Sequence, residues 1–158
     1  MEPNSVSEKE NIDISSKKRF TYPVKELDFI VKWVERIYTN LGAGQYHPKE
    51  DIAKEFEVSP ESIKSYLSTS QQYGLLELKH GIGYKITELF RKIYHPMNDK
   101  EQLISIVESL KTPEIFKFLF DEYENHIVPQ LSGITNQLIR INNFKKPVAE
   151  KVAEIFLN

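Results

Sequence analysis

The sequence predicts a mostly α-helical protein carrying one small β-hairpin. Apolar residues recur at spacings of three and four through most of the chain, the period of a helix buried along one side. Residues 75–86 break that rhythm, with two short apolar runs flanking a glycine-containing turn. Proline or a short polar residue opens several periodic stretches and glycine closes others, the punctuation that starts and stops helices.

In chain order, residues 1–19 mix Ser, Asn, Glu and Lys with little apolar content. Burial cannot offset the entropy of ordering them, so a disordered tail is expected. Lys17-Lys18-Arg19 reads as a solvated charge run beside a domain boundary rather than as an arm on phosphate. Leu27, Ile30, Val31, Val34, Ile37, Tyr38 and Leu41 then share one helical face, and Gly42 stops that helix. Trp33 and Tyr38 lie at helical spacing and are read as packing residues, not as a ligand box. Residues 44–46 are expected to add a short strand to the hairpin.

Pro48 suits the start of a second helix, with Glu50 and Asp51 at its N-terminus, where the helix dipole favours acids. Ile52, Ala53 and Phe56 share its inner face. The helix should break at Glu57-Val58-Ser59, with Ser59 capping a third helix whose first residue is Pro60. There Ile63, Tyr66 and Leu67 point inward, and Glu61, Ser62, Lys64, Ser65, Ser68 and Thr69 point out. Ser65, Ser68 and Ser70 read as a solvated face, because no His or acid stands at a spacing that would activate a nucleophile. Gly74 supplies a left-handed C-cap, and Gly81 and Gly83 supply the positive φ of a tight hairpin.

The order helix, turn, helix, Gly74-Leu75-Leu76-Glu77, hairpin, then Tyr84-Lys85-Ile86-Thr87-Glu88 opening another helix, resembles the winged helix-turn-helix superfamily of DNA-binding proteins. The resemblance covers about half the chain and rests on loose patterns. It implies a winged-helix domain over residues 20–96, a recognition helix over residues 60–73 for the major groove, and a wing over residues 79–85 on the adjacent backbone. The implied DNA contacts are Ser62, Lys64, Ser65, Ser68 and Thr69 on the helix and Lys79, His80 and Lys85 on the wing.

Leu89, Phe90, Ile93 and Tyr94 follow on a helix capped by Thr87 and ended by His95-Pro96. Asp99 with Gln102 suggests a capping box for a helix with an inner stripe of Leu103, Ile104, Val107 and Leu110. The helix over residues 113–124 carries Ile115, Phe116, Phe118, Leu119, Phe120 and Tyr123. It must be buried on two sides or paired with another molecule. A last helix pair puts Leu138, Ile139 and Ile141 before an Asn142-Asn143 turn and Val148, Val152, Ile155 and Phe156 after Pro147. This second helical half, residues 97–158, reads as an incomplete second winged helix, as though a domain had been cut from a longer chain.

Composition narrows the function classes. The chain has 158 residues, 40% of them hydrophobic, and no cysteine, so a filled core is expected without disulfides, thiolate nucleophiles or the common zinc sites. The four histidines are scattered. No phosphate or dinucleotide fingerprint stands in the right context, so neither a metal, nor a cofactor, nor an enzymatic activity is expected. With no signal-like or membrane-spanning apolar run, a cytoplasmic protein is the expectation. The net charge of −2 leaves no segment basic: residues 20–96 carry ten basic and ten acidic side chains, and residues 97–158 carry seven and nine. Modest phosphate attraction follows. The preferred reading is a regulator binding double-stranded DNA, with a homodimer in view. The alternative is a protein-interaction module.

Overall fold

The computed structural model describes residues 20–157; the tail expected over residues 1–19 lies outside them. The described residues form eight α-helices, one 3-10 turn and one two-stranded antiparallel hairpin. In order these are α1 (Leu27–Leu41), α2 (Lys49–Glu55), the 3-10 turn Pro60–Ile63, α3 (Lys64–Gln72), β1 (Leu76–Lys79) and β2 (Gly83–Ile86). They are followed by α4 (Glu88–Tyr94), α5 (Asp99–Leu110), α6 (Glu114–Tyr123), α7 (Leu131–Arg140) and α8 (Lys146–Leu157). No helix of the described residues is long and apolar enough to cross a membrane.

The apolar period of α1 is realised: Leu27, Ile30, Val34 and Ile37 are buried, and Gly42 ends the helix at φ 88°. The chain leaves α2 through Glu57, which holds a left-handed φ of 56°. The next helix does not begin as an ordinary α-helix at Pro60. The Ser59 hydroxyl pairs with the Ser62 hydroxyl at 2.8 Å instead of capping a backbone amide, and the Ser62 amide donates to the Ser59 carbonyl three residues back. The first turn is therefore 3-10 and the α-helix starts at Lys64. At the far end the Leu75 and Gly74 amides close on the Ser70 and Gln71 carbonyls, with Gly74 at φ 76°. This is the paired C-terminal closure for which glycine is favoured.

In the hairpin, Leu76 faces Ile86, Glu77 faces Lys85 and Lys79 faces Gly83. Residues 44–46 form no third strand. Only His47 bridges to Tyr84, through reciprocal backbone bonds of 2.7 and 2.8 Å. Pro48 has no amide to extend the ladder, and α2 begins at once. Gly83 permits that bridge, because any Cβ there would collide with the His47 carbonyl.

One hydrophobic cluster joins both halves of the chain. Tyr73 meets Phe116 at 6.3 Å, Tyr22 meets Phe144 at 5.6 Å, and Phe20 meets Phe118 at 5.9 Å between ring centroids. Ile115, Phe116 and Leu119 bury α6 as its composition requires, with Phe156 of α8 against Phe116 and Phe120. Each such fully buried side chain contributes about 1.5–3 kcal/mol.

Three expectations fail in the second half. The capping box of α5 is Asn98 with Glu101, not Asp99 with Gln102: the Asn98 side chain accepts the Glu101 amide and Glu101 accepts the Met97 amide. Three of the four residues expected on the inner stripe of α5 also point outward, while Leu110 packs against the core. Leu103, Ile104 and Val107 are exposed, whereas Ser105 and Ser109 are buried. The inner face is held by hydrogen bonds, from the Ser109 hydroxyl to the Tyr73 carbonyl at 2.6 Å and from Gln102 to the Ile93 carbonyl at 3.0 Å. Further on, α7 and α8 are separate helices. Ile141 is exposed rather than inward, since the chain turns through buried Asn142 and left-handed Asn143 and inserts Phe144 instead.

Candidate nucleic-acid interface

The outer side of α3 and its 3-10 lead-in carries short polar groups at the surface. Ser62, Lys64, Ser65 and Ser68 are exposed. Ser62 is tied to Ser59, and the Ser68 hydroxyl accepts from the Gln72 side-chain amide at 3.1 Å. Lys64 and Ser65 have no hydrogen-bond partner for their side chains among the described residues.

Thr69 does not belong to this surface. It is fully buried, and its hydroxyl accepts the Val24 amide at 3.0 Å, fastening the segment before α1 onto α3. Ser70 is buried too and donates to the Tyr66 carbonyl at 2.7 Å. Both were expected outside. Polarity does not distinguish an exposed hydroxyl from one that satisfies an internal partner.

The hairpin stands beside this helix and contributes cations in an organised way. Lys79 and His80 are exposed and Lys85 is half-buried. The ammonium groups of Lys79 and Lys85 lie 5.7 and 5.5 Å from the centroid of the Tyr46 ring. Each such contact at a wet site is worth about 0.5–1 kcal/mol, less than the roughly 1.5–2 kcal/mol of rotamer entropy in a lysine, so it biases the two side chains toward the ring without fixing them. The Tyr46 hydroxyl donates to the Glu77 carboxylate, a bond that raises the Tyr46 pKa above its ordinary value, helped by slight burial and by the carboxylate's charge. Thus Tyr46 spaces two lysines on one face of the hairpin, and Glu77, opposite Lys85 in the ladder, tempers their charge.

Tyr46 is the residue that sequence reasoning missed. Its signal was its place immediately before the bridging His47, where an aromatic ring can lie across the neighbouring ladder. Behind α3 a second aromatic group braces the surface. Trp33 stacks on Phe56 at 4.8 Å and 6°, and both Trp33 and Phe29 meet Tyr66 edge-on at 5.6 Å. Arg36 covers the Phe56 ring, so this group is closed at that end.

The chain matches no protein-family model, no curated protein and no solved structure. Among the described residues no three His, Asp or Glu side chains converge to hold a metal ion. An open groove of about 720 Å³ lies elsewhere, between α1, α5 and α8, with Leu27, Val31, Tyr73, Ile106 and Ile155 in its walls. It is apart from the polar face of α3.

Proposed function

We propose that this protein is a winged-helix regulator that binds double-stranded DNA. In this reading the segment Pro60 to Gln72 enters the major groove and the hairpin from Lys79 to Lys85 rests on the adjacent backbone. The observation that carries it is the exposed face of Ser62, Lys64, Ser65 and Ser68 beside two lysines over one tyrosine ring. Serine hydroxyls accept or donate to any base edge, and lysine ammonium groups neutralise phosphate, so the hairpin sets register and the helix face contributes only a modest base preference. His80 at the hairpin tip adds a donor to phosphate. The pair α7 and α8 reads as a second helix-turn-helix unit, since a short turn joins two helices there as well.

Fluorescence anisotropy against random duplex at two salt concentrations tests the reading. With three lysines as phosphate contacts, log affinity should fall against log salt with a slope of roughly 3. Combining Lys64→Glu, Lys79→Glu and Lys85→Glu should remove binding while the chain stays folded by circular dichroism, with Tm lowered modestly because two contacts on Tyr46 are lost and an acid is set opposite Glu77. Undiminished binding by that variant, or a slope several-fold steeper, would place the contact surface elsewhere. A protein-interaction module is the second reading, favoured by the outward apolar stripe of α5. Absence of any duplex binding at low salt would leave that reading standing.

A further inference from the structure

Helix α5 carries apolar residues on both sides. Its core side combines the buried Ser105 and Ser109 with the half-buried Ile106 and Leu110, while Leu103 is 63% exposed, Ile104 55% and Val107 40%. The hydroxyl of Ser109 is committed to the Tyr73 carbonyl, so rolling the helix to bury the leucine would break an internal bond. A contiguous apolar face on a helix end-fixed in this way marks an interaction surface.

The charges along the same face indicate what covers it. Lys100 stands one turn before Ile104 and Glu108 one turn after it, both exposed, and neither side chain has an ion-pair partner among the described residues. About a two-fold axis through Ile104, antiparallel packing sets Ile104 on its own copy and Lys100 opposite the partner's Glu108, twice by symmetry. Parallel packing would set like charges together. An isologous interface requires this self-complementarity. We propose that α5 is a homodimer interface in which two copies pack antiparallel through Leu103, Ile104 and Val107, with reciprocal Lys100 and Glu108 pairs setting the register. A helix of twelve residues spans about 18 Å, so the seam is smaller than a standard interface of about 800 Å² per partner and belongs with the weak, transient class.

Sedimentation velocity on the full chain, from low micromolar to near-millimolar concentration, reads this directly. The wild type should pass from monomer to dimer. Ile104→Glu should remain monomeric throughout with an unchanged Tm, since its side chain is exposed. Lys100→Glu or Glu108→Lys alone should raise the dissociation constant roughly tenfold by opposing like charges, and the two together should restore it. A wild type that stays monomeric, or a dimer indifferent to Ile104→Glu, overturns the proposal. Failure of the double reversal to rescue overturns the antiparallel register. Duplex binding is scored separately, so the two readings fail independently.

Discussion

The Thr69 hydroxyl and the Val24 amide satisfy each other at 3.0 Å beneath α3. Replacing the hydroxyl by a methyl of the same shape leaves a backbone N–H without its partner, which costs about 1–3 kcal/mol. Thr69→Val should lower the urea midpoint accordingly, and an unchanged midpoint would show that water replaces the hydroxyl. Tyr73 sets a second residue-scale expectation. Its ring is fully buried and its hydroxyl donates to the Lys25 carbonyl at 2.8 Å. Burial first, then the charges of Glu26 and Asp28, raise its pKa well above the ordinary 10.0. The fold thus favours the neutral phenol. The unfolded chain loses its proton first, so the contribution is complete below pH 10 and declines as pH climbs through the raised value. Tyr73→Phe should flatten the alkaline fall in stability measured by denaturation above pH 10, while costing about 1 kcal/mol at neutral pH through the lost hydrogen bond.

At the scale of elements, helices with a single strong period were legible and the exceptions have local causes. Leu27, Ile30, Val34 and Ile37 announce α1 because core contact alone decides their spacing. The same logic misorients part of α5, where the hydrogen bonds of Ser109 and Gln102 fix the inner face and Leu103, Ile104 and Val107 are left outside. The cap of α5 was misplaced by one residue because Asn98 and Asp99 are both competent N-caps and only the fold selects between them. On the candidate DNA face, four of the five helix positions expected outside are exposed, and Thr69 is not. Hydroxyl chemistry alone carries no direction. The hairpin was legible through Gly81 and Gly83, but the reason for Gly83 was not, since it lies in a contact with His47, distant in sequence. Gly83→Ala combines a φ of 150° with a backbone collision. It should destabilise by more than the ~1 kcal/mol that the same change gains at a site with permissive φ and should broaden hairpin amide resonances. A variant as stable as the wild type would mean that the His47 bridge yields freely.

Across the whole molecule, the two sequence halves share ring contacts and a hydrogen bond through Tyr73, Phe116 and Ser109. The expected boundary near residue 96 therefore crosses a continuous core. Calorimetry should give one transition whose calorimetric and van't Hoff enthalpies agree, the mark of two-state unfolding. Two resolved transitions would restore two independently stable domains.

Trp33 is the chain's single tryptophan, and it is wedged between the Phe56 ring and the edge of Tyr66, which projects from α3. The protein thus carries a native optical probe at the base of the helix assigned to DNA. Excitation absorbed by Tyr66 passes to Trp33 across 5.6 Å between the rings, so the emission colour and near-ultraviolet dichroism of one indole register any shift of α3 against α1. A duplex that shifts α3 against α1 can be followed without a label, whereas one that leaves α3 unmoved will leave that signal unmoved as well.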